Sequence, residues 1–130
     1  MQADSNAAMF VPVEDSDDLD NWVQRSHHAA VLLFLHDPWC PISGRANIEM
    51  KQVSYSPIAV VDVARQRDVT GAIQALTGIQ HESPQIILLR DGNPIWYASH
   101  FAITAEVVER MLGFAATEPE HQLATEPWSG

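Results

Sequence analysis

An α/β fold, a central mixed sheet flanked by helices, is predicted by three features of the chain. The run Ala30 to Leu35 is continuously apolar, as expected of a central strand covered on both faces, and it leads into Trp39-Cys40-Pro41-Ile42-Ser43. That segment reads as a strand-to-helix turn and holds the only cysteine. Well downstream, His81-Glu82-Ser83-Pro84-Gln85 precedes a second strand-like run, Ile86 to Leu89. Between the two, the pattern follows the order strand, helix, strand, helix.

The elements can be justified in order. Phe10-Val11-Pro12-Val13 is a short apolar segment suited to an edge strand. Asp15-Ser16-Asp17-Asp18 supplies a helix start, with carboxylates favoured by the backbone dipole of the first turn. Leu19, Trp22 and Val23 then fall on one helical face, and the helix should end near Ser26 to His28. Pro41 lacks an N–H but fits the first helical position, which predicts a helix from Pro41 to about Val53 with Cys40 as its N-cap. Ala59 to Val63 reads as a strand, and Asp68 to Leu76 as a short helix closed by Gly78. Arg90-Asp91-Gly92-Asn93-Pro94 is a turn between Ile86 to Leu89 and Ile95 to Ser99, hence a hairpin. Thr104 caps a last helix that carries Val107, Val108, Met111 and Leu112 on one side and should end at Gly113. One thiol at a strand-to-helix turn, with a proline turn entering a later strand, marks a thioredoxin-like fold with a one-cysteine site. A single such domain is expected over residues 9–115, with flexible termini at 1–8 and 116–130.

Composition narrows the partners. The chain has 130 residues, with 7 Lys and Arg against 17 Asp and Glu, a formal net charge of -10. No basic stripe tracks any expected helix, so nucleic acid would be repelled rather than steered in. No apolar run approaches the roughly 18 residues of a membrane span, and Met1 to Ala8 lacks the basic start and apolar stretch of a secretory signal. The expected address is the cytoplasm. A fold with one cysteine cannot depend on an internal disulfide, which agrees with a reducing compartment. The six histidines are scattered without zinc spacing, so no metal site is expected.

The chemistry starts at Cys40. A thiol at a helix N-terminus faces unpaired backbone N–H groups and the positive end of the dipole, which favour thiolate over thiol. Ser43, one turn on, shares that helix face and is expected to offer its hydroxyl to the same sulfur, although it cannot form a disulfide. A mixed disulfide on Cys40 would therefore need an external thiol for release. Ser83-Pro84 is an X-Pro bond, the usual site of cis peptides, and a cis turn there would present a backbone edge to an extended substrate beside the thiol, although any X-Pro bond in a folded protein is cis in only about 5–6% of cases. Trp39 reads as an exposed cover for the site, against the plainer reading of a core aromatic. His36 and His100 are each either a group that tunes Cys40 or binds an anionic thiol, or a polar strand end without a role.

At this point the residues resemble a known family. Cys40-Pro41-Ile42-Ser43, His81-Glu82-Ser83-Pro84-Gln85 and Trp96-Tyr97-Ala98-Ser99-His100, followed by Ile103-Thr104, are similar to the monothiol bacilliredoxins, thioredoxin-fold proteins of the bacillithiol system. The likeness runs from about Val13 to Gly113, and the first two motifs in this order are specific. The approach Asp37-Pro38-Trp39 departs from the serine- and threonine-rich lead of that family and is closer to thioredoxin. The resemblance implies a thiol-disulfide oxidoreductase that removes bacillithiol from S-bacillithiolated proteins by taking the small thiol onto its cysteine. By the same match Cys40 is the attacking thiol, Ser43 stands in the resolving position, and Ser83 with Pro84 forms the cis-proline turn. Bacillithiol, or another low-molecular-weight thiol, would be a co-substrate rather than a bound cofactor, and thiolated proteins would be the partners. Trp39, Pro41, Ser83, Pro84, Arg45 and His100 are the candidate substrate-binding residues, Arg45 and His100 being the cationic groups for the malate carboxylates of bacillithiol. The other reading is a thioredoxin-like adaptor module whose cysteine can be modified but does not turn over. Iron-sulfur cluster sharing is a weaker idea, since Pro41 stiffens and crowds the turn.

Overall fold

The computed structural model describes residues 8–115. Five strands, β1 (Phe10–Pro12), β2 (Val31–His36), β3 (Ile58–Asp62), β4 (Gln85–Arg90) and β5 (Asn93–Ser99), form one sheet in the order β1-β3-β2-β4-β5. The first three strands run parallel, whereas β4 runs antiparallel to β2 and β5 antiparallel to β4. Four helices cover it: α1 (Ser16–Arg25), α2 (Pro41–Lys51), α3 (Arg67–Thr77) and α4 (Ala105–Ala115). This is the mixed, helix-flanked sheet that the sequence predicts.

The apolar run of β2 explains the layering. Leu32 and Phe34 face one way, into a cluster with Ala46 and Met50 of α2 and Val108 and Leu112 of α4. Val31, Leu33 and Leu35 face the other way, toward Leu19 of α1 and Val69 and Ile73 of α3. Alternate residues of a strand point to opposite faces, so a strand buried on both must be apolar throughout. Apart from Ala46, each of these side chains contributes roughly 1.5–3 kcal/mol when fully buried, and none of them is Cys40. The stability of the fold therefore rests on layers that leave the thiol turn out.

The caps follow local chemistry. Asp15 Oδ1 accepts from Asp18 N (2.8 Å) while Asp18 Oδ2 accepts from Glu14 N (2.9 Å), so two carboxylates each take a backbone N–H at the start of α1. Gly78 closes α3 in the left-handed region at φ 73°, which a residue without Cβ adopts freely. Thr104 Oγ1 accepts from Val107 N (3.2 Å) to cap α4, as expected. The helix does not end at Gly113 but continues to Ala115, because Ala115 is buried in the α2–α4 cluster and its packing outweighs the weak helix propensity of glycine. Ala8 packs against the same cluster, and the remainder of the expected flexible termini lies outside the described residues.

Candidate functional site

Register brings distant parts of the chain to one end of the sheet. Leu35 of β2 pairs with Gln85 of β4, His36 with Asp62 of β3, and Gln85 with Ser99 of β5. The last residues of β2, β3 and β5 thus meet the first residue of β4. Cys40 lies just past the end of β2, and Pro84 just before the start of β4. Binding sites in open α/β sheets gather at such carboxyl ends.

The thiol turn is tightly wired. Asp37 Oδ1 accepts from Trp39 N (3.0 Å), and Asp37 O accepts from Cys40 N (3.1 Å). Cys40 takes the extended N-cap conformation (φ -102°, ψ 122°) before Pro41, the first helical residue. Its carbonyl receives the first backbone bond of α2, from Gly44 N (3.0 Å), but its sulfur makes no capping bond; the residue is partly exposed. The leading amides of a helix have no intrahelical partner, so this sulfur sits at a positive helix end. Trp39, beside it, is 84% exposed, as a cover residue rather than a core aromatic would be.

Ser43 is placed otherwise than expected. It is fully buried, and its hydroxyl is engaged away from the thiol: Oγ accepts from Asp37 N (2.9 Å) and lies 2.6 Å from His36 Nδ1. No hydrogen bond joins it to the Cys40 sulfur among the described residues. The reason is that His36 and Asp37, where the chain leaves β2, lie against the first turn of α2 and bring their polar groups within reach of Ser43. His36 itself stacks on Phe34, with centroids 5.2 Å apart and planes at 28°. Burial pushes the His36 imidazole below its ordinary value of 6.5, against the opposing pull of the Asp62 and Asp37 carboxylates. The sequence left His36 open between tuning Cys40 and having no role; its one signal is that it is the polar end of an otherwise apolar strand.

The proline turn completes the cluster. Ser83-Pro84 is cis, as expected; Ser56-Pro57, which the sequence reading did not single out, is also cis and lies before β3. Pro84 O accepts from His100 N (3.0 Å), so a short 3-10 turn over His100–Ala102 is stitched to the proline loop. His100 pays for this contact with a left-handed backbone, φ 56°, at a cost of roughly 1–2 kcal/mol for a residue with a Cβ. Its Nδ1 lies 3.7 Å from Glu82 Oε1, so a carboxylate of the same loop competes for any positive charge there. Arg45 is exposed one turn into α2 and forms no ion pair among the described residues.

Comparison with known proteins gives the family and the fold. A family model described as monothiol bacilliredoxin BrxC matches residues 11–108. The chain belongs to the monothiol bacilliredoxin family. Solved structures agree on the fold. A candidate oxidoreductase with a thioredoxin fold superposes with a TM-score of 0.73 at 22% identity, covering 78% of this chain and 92% of that one. The N21Q mutant thioredoxin from Halobacterium salinarum NRC-1 gives 0.63 at 14% identity, over 82% and 90%. Thioredoxin from Malassezia sympodialis gives 0.66 at 12%, over 84% and 91%. Cys40 is the only cysteine in this sequence. No helix among the described residues is long and apolar enough to cross a membrane.

Proposed function

We propose that the protein removes bacillithiol from S-bacillithiolated proteins through a mixed disulfide on Cys40, in a reducing, cytoplasmic setting. The observation that carries this reading is a partly exposed cysteine at the N-cap of α2 in a chain with no second cysteine. The Cys40 thiolate attacks the bacillithiol sulfur of the substrate disulfide. The old S–S bond breaks, the substrate cysteine leaves as thiolate and takes a proton from water, and the new disulfide joins Cys40 to bacillithiol. One disulfide replaces another, so no outside oxidant or reductant is needed in this step. A second, external thiol then attacks the bacillithiol sulfur and returns Cys40.

The surroundings support each part. Trp39 and Pro41 flank the sulfur. The Ser83-Pro84 turn, at the same end of the sheet, offers backbone groups to an extended substrate segment. Of the two candidate cations, Arg45 is the better partner for the malate carboxylates, since His100 is shared with Glu82. Ser43 acts as a fixed support rather than as a donor to the sulfur.

The test is intact-mass measurement after mixing the reduced protein with a bacillithiolated model protein, with no free thiol present. A stoichiometric Cys40–bacillithiol adduct and a freed substrate are expected, and added thiol should restore turnover. Unmodified protein beside an untouched substrate would sink the exchanger reading and favour the adaptor.

A further inference from the structure

We propose that His36 is a positioning residue for Cys40: through Ser43 it holds the end of β2 against the first turn of α2, and its neutral imidazole is the working form. The argument is an accounting of hydrogens around one buried hydroxyl. Ser43 Oγ has one proton and two lone pairs. One lone pair is taken by Asp37 N at 2.9 Å, and His36 Nδ1 stands at 2.6 Å. If Nδ1 accepts, the bonds run in one direction, Asp37 N–H to Ser43 O–H to Nδ1, and each polarises the next. If Nδ1 donates instead, the Ser43 proton has no acceptor among the described residues, inside a side chain that is 0% exposed. A buried donor left unmade is the costlier state. The neutral imidazole with its proton on Nε2 is therefore the form that satisfies the cluster.

The consequence reaches the sulfur through the backbone. Asp37 is held by Ser43 on one side and bonds Trp39 N and Cys40 N on the other. Fixing Asp37 fixes the turn that presents Cys40. Protonating His36 turns its acceptor into a donor and breaks the chain at Ser43. The charged groups acting on the imidazole are Asp37 in its own segment and Asp62 on β3, both acidic, while burial opposes them.

This inference rests on the exchanger reading only for its purpose, so its test avoids bacillithiol. Cys40 alkylation by iodoacetamide is followed from pH 5 to 8 in the wild type, His36→Phe, His36→Asn, Ser43→Ala and the His36→Phe/Ser43→Ala double variant. Phe keeps the stacking on Phe34 but cannot accept a hydrogen bond; Asn accepts but does not titrate. We expect His36→Phe and Ser43→Ala each to slow alkylation at pH 8 by roughly tenfold, the scale of one lost hydrogen bond, and the double variant to be no slower than either. His36→Asn should keep most of the rate at pH 8, and its ratio to wild type should rise as pH falls. Effects that multiply in the double variant, or a ratio independent of pH, would overturn the assignment. Nitrogen-15 NMR of the wild-type imidazole tests it without any substitution: a proton on Nδ1 at pH 8 would also overturn it. A failure here with adduct formation intact removes His36 from the site, whereas a failure of adduct formation alone removes the exchanger reading.

Discussion

Ser26, closing α1 at one end of the sheet, and Ser43, opening α2 at the other, are both fully buried, yet they clamp the fold by different means. Ser26 Oγ donates to Val23 O and accepts from Gly92 N (2.8 Å), while its carbonyl accepts from Asp91 N (2.7 Å) and from Arg90 (2.9 Å). These partners are backbone amides, a carbonyl and a guanidinium, none of which changes protonation near neutral pH. The clamp pins the β4–β5 hairpin, where Asp91 and Gly92 take the left-handed conformations of a tight two-residue turn. Ser43 instead bonds one backbone amide and one imidazole. The Ser26 clamp is thus made without a titrating group, with His27 only on the outside of the hairpin 3.8 Å from the Asp91 carboxylate, whereas the Ser43 clamp is made through a group that titrates. Rigidity is placed where the chain only reverses, and a pH-sensitive joint is placed beside the sulfur.

The largest expected break in this comparison comes from removing the sulfur. Cys40→Ser should abolish adduct formation by intact mass while changing stability by less than about 1 kcal/mol, because a partly exposed cap is altered and no core contact is lost. A large drop in melting temperature would instead place Cys40 in the core. Next in size are the two clamps. Ser26→Ala orphans Gly92 N–H and should cost about 1–3 kcal/mol in a denaturant melt, equally at pH 8 and pH 5.5, with Cys40 alkylation unchanged. Ser43→Ala should cost a similar amount at pH 8 but less at a pH below the lowered folded-state value of His36, since acid there already loosens that clamp in the wild type. Equal costs at both pH values would erase the difference between the two ends.

A smaller effect is the pH dependence itself. The folded-state pKa of His36 is lowered, so between that lowered value and 6.5 the unfolded chain binds more protons than the folded one. Stability from this group is fully present above pH 6.5 and is lost as pH falls through the folded value. Urea melts across this range should show the decline, and His36→Asn should flatten it. The smallest effect concerns Trp39. Its exposure predicts that Trp39→Ala changes stability by no more than about 0.5 kcal/mol, while slowing reaction with a protein substrate more than alkylation by a small reagent. Equal slowing of both reactions would show that Trp39 shapes the sulfur's reactivity rather than covering a docking surface.

Much of this was legible in the sequence. The unbroken apolar run of β2, proline after cysteine, the Asp15 and Thr104 caps, and Gly78 at the end of α3 are local signals, each set by the conformations and hydrogen bonds of a few neighbouring residues. They determined the element order, the place of Cys40 at a helix start and, with the motif resemblance, the family. The partner of Ser43 was not legible. Seven residues separate it from His36, and spacing along α2 alone suggested the sulfur of Cys40 as its partner. Only the packing of β2 over α2 decided otherwise, because a buried hydroxyl takes whichever polar groups the crossing of two elements brings within reach. The same holds for His100, whose left-handed backbone follows from its bond to Pro84, a residue brought near it by strand pairing. Sequence alone determined what each segment would become, since propensity and capping are short-ranged; tertiary structure decided which polar atoms would share a buried site, since that depends on register between strands far apart in the chain.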